Sequence, residues 1–168
     1  MIEPAEGTAS TNSNGLVIRP VKAGESPAVT ALVTGILATE YAADQAAYPA
    51  DDLAKLSVAY GGPGETFLVA EVRGQIVGTC GVKRDGQTTA LLRRLFVDPA
   101  ARGQGVGLGL VHAAIAHCRA QGYKQIRIRT SDRMTAAIAV CRKLGFHDGE
   151  QLSLGPIHLV LMTLRMTP

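Results

Sequence analysis

The chain has 168 residues, of which 46% are hydrophobic, and a formal net charge of +3 at pH 7. This length and composition predict one domain with a full hydrophobic core, and the apolar runs are far shorter than the roughly 20 residues of a membrane span. Because the basic residues are scattered and tryptophan is absent, we expect neither a nucleic-acid partner nor a membrane partner.

The sequence favours a cytoplasmic location. Residues 1–15 are rich in Ser, Thr, Asn and Gly and lack the basic start and apolar stretch of an export signal. We expect them to form a flexible N-terminal tail, followed by one domain over residues 16–168. The odd number and wide spacing of Cys80, Cys118 and Cys141 fit neither a disulfide framework nor a zinc site. A reducing compartment and no bound metal are therefore expected.

Hydrophobic spacing predicts the first elements of the domain. Leu16 to Pro20 alternates apolar and polar residues, which predicts an edge strand that ends at the proline. Apolar residues recur at helical spacing from Pro27 to about Tyr41, and Ser26 is placed to cap that helix. A shorter helix is predicted from Asp51 to Tyr60, with Asp51 as its cap and glycines after it.

The period then changes from 3.6 residues to 2. Thr66 to Val72, Ile76 to Val82 and Thr88 to Val97 are rich in strand-forming residues and are separated by short turns. Three consecutive strands joined in this way predict an antiparallel meander. Asp98-Pro99 ends the third strand, since proline donates no ladder hydrogen bond.

The second half of the domain alternates helices and strands. A helix is predicted from about Gln104 to Gln121, and another from Met134 to Leu144 with Ser131 or Asp132 as its cap. Two strands are predicted, over Ile126 to Thr130 and Ile157 to Met166. The fold class is therefore α/β, with an α+β mixed sheet.

A glycine-rich segment between the third meander strand and the next helix predicts an anion site. Glycine permits positive φ and close approach of a ligand, and a helix start offers unpaired N–H groups. The Rossmann spacing fails because leucine stands where its third glycine is required, and the P-loop triplet is absent. Tight packing of helix on sheet is the alternative, although each glycine costs a helix about 1 kcal/mol. The four glycines are Gly103, Gly105, Gly107 and Gly109.

Two motifs together resemble the GCN5-related N-acetyltransferase (GNAT) family. Residues 102–107, Arg-Gly-Gln-Gly-Val-Gly, match its Q/R-x-x-G-x-G/A signature, and Leu95 to Pro99 also match. Residues 137–146 are similar to its later A-x-x-x-Y-x-x-L-G-F helix and turn. The resemblance covers about residues 16 to 166. It implies a meander followed by splayed parallel strands, with helices on both faces of the sheet.

The resemblance also implies acetyl-CoA as cosubstrate and a primary amine of a small molecule or peptide as acceptor. The backbone of Phe96 and Val97 would pair with the pantetheine arm, and one of their N–H groups would stabilise the oxyanion. Arg102 would add charge near the pyrophosphate, with a solvated loop position as the alternative. A homodimer is a further expectation from the family. The amides expected around the pyrophosphate belong to Gly103, Gln104, Gly105, Val106, Gly107 and Leu108.

The sequence departs from the family at the positions that move protons. Cys141 stands where a tyrosine commonly acts as general acid, so its thiol is a candidate acid, and a small buried hydrophobe is the alternative. Leu91 replaces a glutamate that acts as base in many relatives. Glu40 is the first candidate base, followed by Tyr48 and His147, with a solvated surface position as the alternative for each.

These departures leave a second function open, a catalytically weak acyl-CoA-binding or sensor module. Met134 stands in place of an asparagine at the start of the later helix, which weakens that pantetheine contact.

Arg93 and Arg94 are expected on opposite strand faces, so that only one would reach the acceptor site. An arginine there would favour a carboxylate-bearing acceptor.

Overall fold

The computed structural model describes residues 10–11 and 15–167. Most of the expected tail of residues 1–15 lies outside that part, although Ser10–Thr11 form a short strand. The strands are β1 Ser10–Thr11, β2 Leu16–Pro20, β3 Thr66–Val72, β4 Gln75–Arg84, β5 Thr89–Val97, β6 Gln125–Ser131, β7 His147–Leu154 and β8 Ile157–Arg165. The α-helices are α1 Ser26–Glu40, α2 Leu56–Ala59, α3 Val106–Ala120 and α4 Thr135–Lys143. Short 3₁₀ segments cover Ala42–Ala47, Asp51–Lys55 and Pro99–Ala101.

The described strands form a single mixed sheet in the order β1-β2-β3-β4-β5-β6-β8-β7. β3, β4 and β5 are the predicted antiparallel meander. β5 and β6 are parallel, and β8 returns antiparallel to β6. The predicted fold class is confirmed, since helices cover both faces of this sheet.

Each face of the sheet has its own core. On one face α3 and α4 pack on the middle strands, with Leu110, Val111 and Met162 fully buried. On the other face α1 and the segments after it pack around Leu53 and Phe96. Because β5 contributes to both cores, its two faces look onto the two helical layers.

The turns follow the predicted chemistry more closely than the caps do. Arg73 and Gly74 both have positive φ, as a two-residue hairpin turn between β3 and β4 requires. Ser26, expected to cap α1, is instead its first residue, and its Oγ accepts from the Leu56 N–H at 3.4 Å. Asp51 begins a 3₁₀ segment after Ala50, not an α-helix.

Two further differences between the predicted and the observed elements lie after residue 130. Neither Ser131 nor Asp132 caps α4; Met134 precedes the helix without a side-chain cap, and the Ser131 hydroxyl donates to Asp44 Oδ2 at 3.0 Å. β7 was not predicted from the sequence. Its residues are all exposed and follow no apolar alternation, since β7 lies at the sheet edge and pairs only with β8.

Candidate functional site

The two central strands separate halfway along their length. β5 and β6 pair from Thr89–Gln125 to Leu92–Ile128, and β5 then continues to Val97 without β6 beside it. The Asp98 N–H donates to Val77 O of β4 at 2.8 Å. Because backbone groups alternate sides along a strand, the N–H and C=O of Val97 face the gap, whereas those of Phe96 face β4. The expected splay is confirmed, and it leaves an open backbone edge.

A cavity of about 410 Å³ lies along this open edge; we call it the loop cavity. It is lined by Leu95 to Val97 of β5, by the glycine-rich loop, and by residues of α4 such as Val140. Of the nine cofactor-binding residues expected from the sequence, the loop cavity brings eight together. Gln104, the ninth, is exposed and does not line it. The eight are Phe96, Val97, Arg102, Gly103, Gly105, Val106, Gly107 and Leu108.

The loop glycines have different roles. Gly103 and Gly105 have φ of +78° and +80°, a conformation that side chains rarely adopt. A Cβ on Gly109 would come within 2.6 Å of Ile18 Cδ1, so the tip of the Ile18 side chain would have to shift to admit it. A Cβ on Gly107 would meet Val140 and Val97 only at 3.5 and 3.6 Å, which are ordinary contacts. Of the four glycines, only Gly109 is closely packed.

The start of α3 fits a diphosphate. Gly105 precedes the helix and carries no side-chain cap, so the N–H groups of Val106, Gly107 and Leu108 have no capping partner from it. These three residues line the loop cavity, and the positive end of the helix dipole favours an anion there. The donors and the space are those that a pyrophosphate needs.

Arg102 is engaged by a carboxylate in this structure. Its guanidinium forms a two-pronged ion pair with Glu40 at the end of α1, with distances of 2.5 and 2.6 Å. It also donates to the Val97 carbonyl at 3.1 Å. The hydrogen bonds from Arg102 lower the pKa of Glu40, which makes this carboxylate a weaker base than a free one.

We therefore predict that Glu40→Gln keeps its acetyl-transfer rate. The amide retains the shape of the carboxylate, and we expect kcat within about a factor of two, whereas loss of a general base costs about 10²- to 10⁴-fold. Steady-state kinetics from pH 6 to 9 measure this. A fall of that size, with the acidic limb of the pH profile removed, would identify Glu40 as the base after all.

A second cavity, of about 210 Å³, lies beside the first; we call it the arginine cavity. Arg93, Arg94 and Arg129 line it, together with Tyr48 and the Leu91 that replaces the family's glutamate. The two cavities share four lining residues, which mark where they meet. These are Leu95, Phe96, Met134 and Ala137.

The expectation that only one of the two strand arginines reaches this side is wrong. Arg94 has φ of +59°, and the β4–β5 register shifts between Thr79 and Gly81. Such a bulge interrupts strand alternation. Arg93 and Arg94 consequently both line the arginine cavity, and both act electrostatically on Asp52.

The structure does not place Cys141 at the site. Its side chain is fully buried in the core beneath α3 and α4, and it lines neither cavity. Burial raises the pKa of the thiol to about 12. A thiol that holds its proton so strongly is a poor donor to a departing thiolate of ordinary basicity. Cys141 therefore takes the alternative role, that of a small core residue.

We predict that Cys141→Ala leaves kcat within about a factor of two while lowering stability. Loss of the buried sulfur is expected to cost about 1 kcal/mol. Urea denaturation and steady-state kinetics on the same preparation separate the two effects. A drop in kcat of tenfold or more in the folded variant would show that Cys141 takes part in proton transfer.

Two tyrosines, unlike Cys141, line the cavities. Tyr48 lines the arginine cavity, and its hydroxyl oxygen accepts from the Ser131 N–H at 2.9 Å. Tyr41, which the motifs did not single out, lines the loop cavity. Desolvation raises the pKa of both phenols, so both stay protonated near neutral pH. His147 lies exposed on β7, outside both cavities.

In residues 10–11 and 15–167, neither a metal-ligand cluster nor a membrane-spanning helix is found. Within those ranges, no three His, Cys, Asp or Glu side chains come together as a metal ion would require. Likewise, none of the helices in the described part of the chain combines the length and hydrophobicity of a membrane span.

Comparison with known proteins assigns the chain to a class and then to a family. The fold is shared with a Staphylococcus aureus acetyltransferase of the GNAT family, with a TM-score of 0.78, 20% identity, and coverage of 90% of this chain and 99% of that one. A structure of Salmonella typhimurium yncA with its cofactor acetyl-CoA gives a TM-score of 0.73 at 22% identity, over 90% and 94% of the two chains.

Sequence relatives point the same way. The chain is 30% identical to Escherichia coli YjgM, an uncharacterised N-acetyltransferase, over 77% of this chain and 81% of that protein. Human N-acetyltransferase 8B is 34% identical over 49% of the chain, which spans only 39% of that relative. Residues 33–146 match the acetyltransferase (GNAT) family. The protein is thus an acyltransferase. It belongs to the GNAT family.

Proposed function

We propose that this protein transfers the acetyl group of acetyl-CoA to a primary amine of a small molecule or peptide by direct attack. One observation carries the proposal: an uncapped helix start and an open strand edge line one cavity, which meets a second, arginine-lined cavity. The first suits a long, anionic cosubstrate, and the second leaves room for an amine. The three free, buried cysteines suit a reducing cytoplasm, which we propose as the location.

Acetyl-CoA supplies an acyl group activated as a thioester. In the proposed complex the N–H groups at the start of α3 bind the pyrophosphate, and the gap-facing N–H of Val97, whose carbonyl accepts from Arg102, donates to the pantetheine arm. Leu95, one of the residues common to both cavities, also turns its backbone toward the gap because it is two residues from Val97. Its N–H is placed to donate to the carbonyl oxygen as negative charge develops there.

No carboxylate lines either cavity in the described part of the chain. The amine therefore reaches the site in its neutral form or loses its proton to water, and positioning of the two substrates supplies much of the rate. The Tyr48 phenol, which is protonated and lines the arginine cavity, is the side chain that we propose as proton donor to the leaving thiolate.

The experiment has two parts on the full chain. Calorimetric titration with CoA measures binding, and a thiol-release assay over a panel of amines at several pH values measures turnover. We expect saturable binding and saturable thiol release that rises with pH as the amine deprotonates. Binding without release from any amine would contradict an enzyme and indicate an acyl-CoA sensor. Absence of binding would remove the proposed site altogether.

A further inference from the structure

The arginine cavity has an unbalanced positive charge. Arg93, Arg94 and Arg129 line it, and Asp52 is engaged with Arg94, from which its carboxylate accepts two hydrogen bonds. Across the residues that the structure describes, Arg93 and Arg129 form no ion pair and no side-chain hydrogen bond. Asp52 acts on Arg93 electrostatically, but neither Arg93 nor Arg129 has a carboxylate in direct contact among the described residues.

Arg94 adds a second, independent sign of a missing partner. Its side chain is only 2% exposed, and Nη1 is buried without a hydrogen-bond partner among the described residues. A buried donor left unpaired costs roughly 1–3 kcal/mol. The bulge at Arg94 brings Arg93 to the same side, and Arg129 approaches from β6 across the gap. The chain therefore concentrates guanidinium groups beside the point where the cavities meet.

We propose that the acceptor is a small amine that also carries a carboxylate, of which a free amino acid is the simplest form. This inference rests on the proposed function. The arginine cavity holds about 210 Å³, which suits a molecule of that size better than a folded protein surface. Arg93 lies two residues from Leu95, and because the bulge at Arg94 stands between them, the two residues are at most about 7 Å apart. A carboxylate at Arg93 and Arg129 therefore leaves the amine near the thioester.

In this arrangement the arginines select the acceptor and take no part in the bond changes. The amine nitrogen forms a bond to the acetyl carbon, the carbon–sulfur bond breaks, and the amine proton passes to water. The leaving thiolate takes its proton from Tyr48, which regains one from water, so that CoA leaves as the thiol. Guanidinium groups bind carboxylates through two parallel hydrogen bonds. An acceptor without the carboxylate leaves these donors unpaired. A site built on polar contacts discriminates strongly against such an acceptor.

The test compares each amino acid with its own amide, for example leucine with leucinamide, in the thiol-release assay. The two acceptors differ only in the charge of one group, and the amide has the more easily deprotonated amine. We expect kcat/KM to be at least about tenfold higher for the amino acid in the best pair. Aminoalkylphosphonates in the same panel distinguish a carboxylate from another anion.

The variants are Arg93→Gln and Arg129→Gln, with Arg127→Gln as matched control. Arg127 is exposed and shares a face of β6 with Arg129, but it does not line the cavity. We expect each test variant to raise KM for the amino acid by about tenfold with little change for the amide, and the control to match the parent. Arg129 is exposed, so its variant stays informative even if Arg93→Gln destabilises the fold.

The possible outcomes distinguish failure of the carboxylate site from failure of the proposed acetyltransferase function. Three outcomes would overturn the carboxylate site but leave the proposed acetyltransferase function intact. These are equal kcat/KM for amides and amino acids, a preference for phosphonates over carboxylates, and equal effects of all three variants. CoA binding with no acceptor turned over would contradict the proposed function as well. Selective use of amino acids that depends on Arg93 and Arg129 supports both.

Discussion

Replacing Gly107 with glutamate is expected to abolish CoA binding without weakening the fold. Gly107 is the second residue of α3, and its position faces the loop cavity between Val97 and Val140. A carboxylate there occupies the anion site and repels a diphosphate by about 4 kcal/mol at 4 Å, with the dielectric of a partly buried position. We expect at least about a 100-fold loss of affinity, which calorimetric titration with CoA measures.

The same change should leave the melting temperature equal or higher. Removal of a helix glycine gains up to about 1 kcal/mol, and an acidic residue in the first turn gains about 0.3–1 kcal/mol from the helix dipole. Gly107→Ala is the matched control, because its Cβ makes only ordinary contacts and adds no charge. It should retain CoA affinity. Unchanged binding by Gly107→Glu would show that the pyrophosphate lies elsewhere.

The grouping of residues at the loop cavity could be predicted from the sequence because it depends on local features. A strand, a proline stop, glycines at fixed spacing and a helix start follow each other within about fifteen residues, and each has a short-range physical cause. Eight of the nine residues expected there line one cavity for this reason. Gln104 was predicted to contact the cofactor only because it lies between Gly103 and Gly105 in the motif. Its exposure depends on the turn geometry of these two glycines.

The composition of the arginine cavity and the proton-transfer candidates depend on contacts between distant parts of the chain. Period-2 reasoning failed at Arg94 because a bulge, invisible in the residue types, interrupts the alternation. Glu40 was a reasonable base by position, yet its carboxylate is engaged by Arg102, 62 residues away in sequence. Cys141 was assigned by alignment to a motif position, and only the packing of α4 shows that its thiol faces the core. Such outcomes require the tertiary structure.

The largest expected effect on stability comes from Asp52→Asn. Asp52 accepts from Arg94 Nε at 3.1 Å and Nη2 at 2.5 Å, and from the Tyr60 hydroxyl at 2.6 Å. Arg94 also donates to the Pro49 carbonyl, so this cluster holds the segment after α1 against β5. Asparagine leaves the Arg94 charge buried and uncompensated. We expect a loss of about 3–5 kcal/mol in the free energy of unfolding, measured by urea denaturation.

The pH dependence provides an internal check on this prediction. Desolvation alone would raise the pKa of Asp52, but the hydrogen bonds from Arg94 and Tyr60 outweigh it and hold the pKa below its ordinary value. A lowered pKa stabilises the folded protein above the unfolded value near 4, and this contribution disappears as pH falls through the lowered pKa. The stability difference between Asp52→Asn and the parent should therefore narrow in acid.

Two variants control for the charge change. Asp51→Asn removes a carboxylate from an exposed neighbour of Asp52 and should cost less than about 0.5 kcal/mol. The double variant Asp52→Asn with Arg94→Met removes both charges and should recover part of the loss, because no buried cation remains unpaired. A double variant less stable than Asp52→Asn alone would show that Arg94 stabilises the bulge without its carboxylate. The unpaired-charge account of Asp52 would then be wrong.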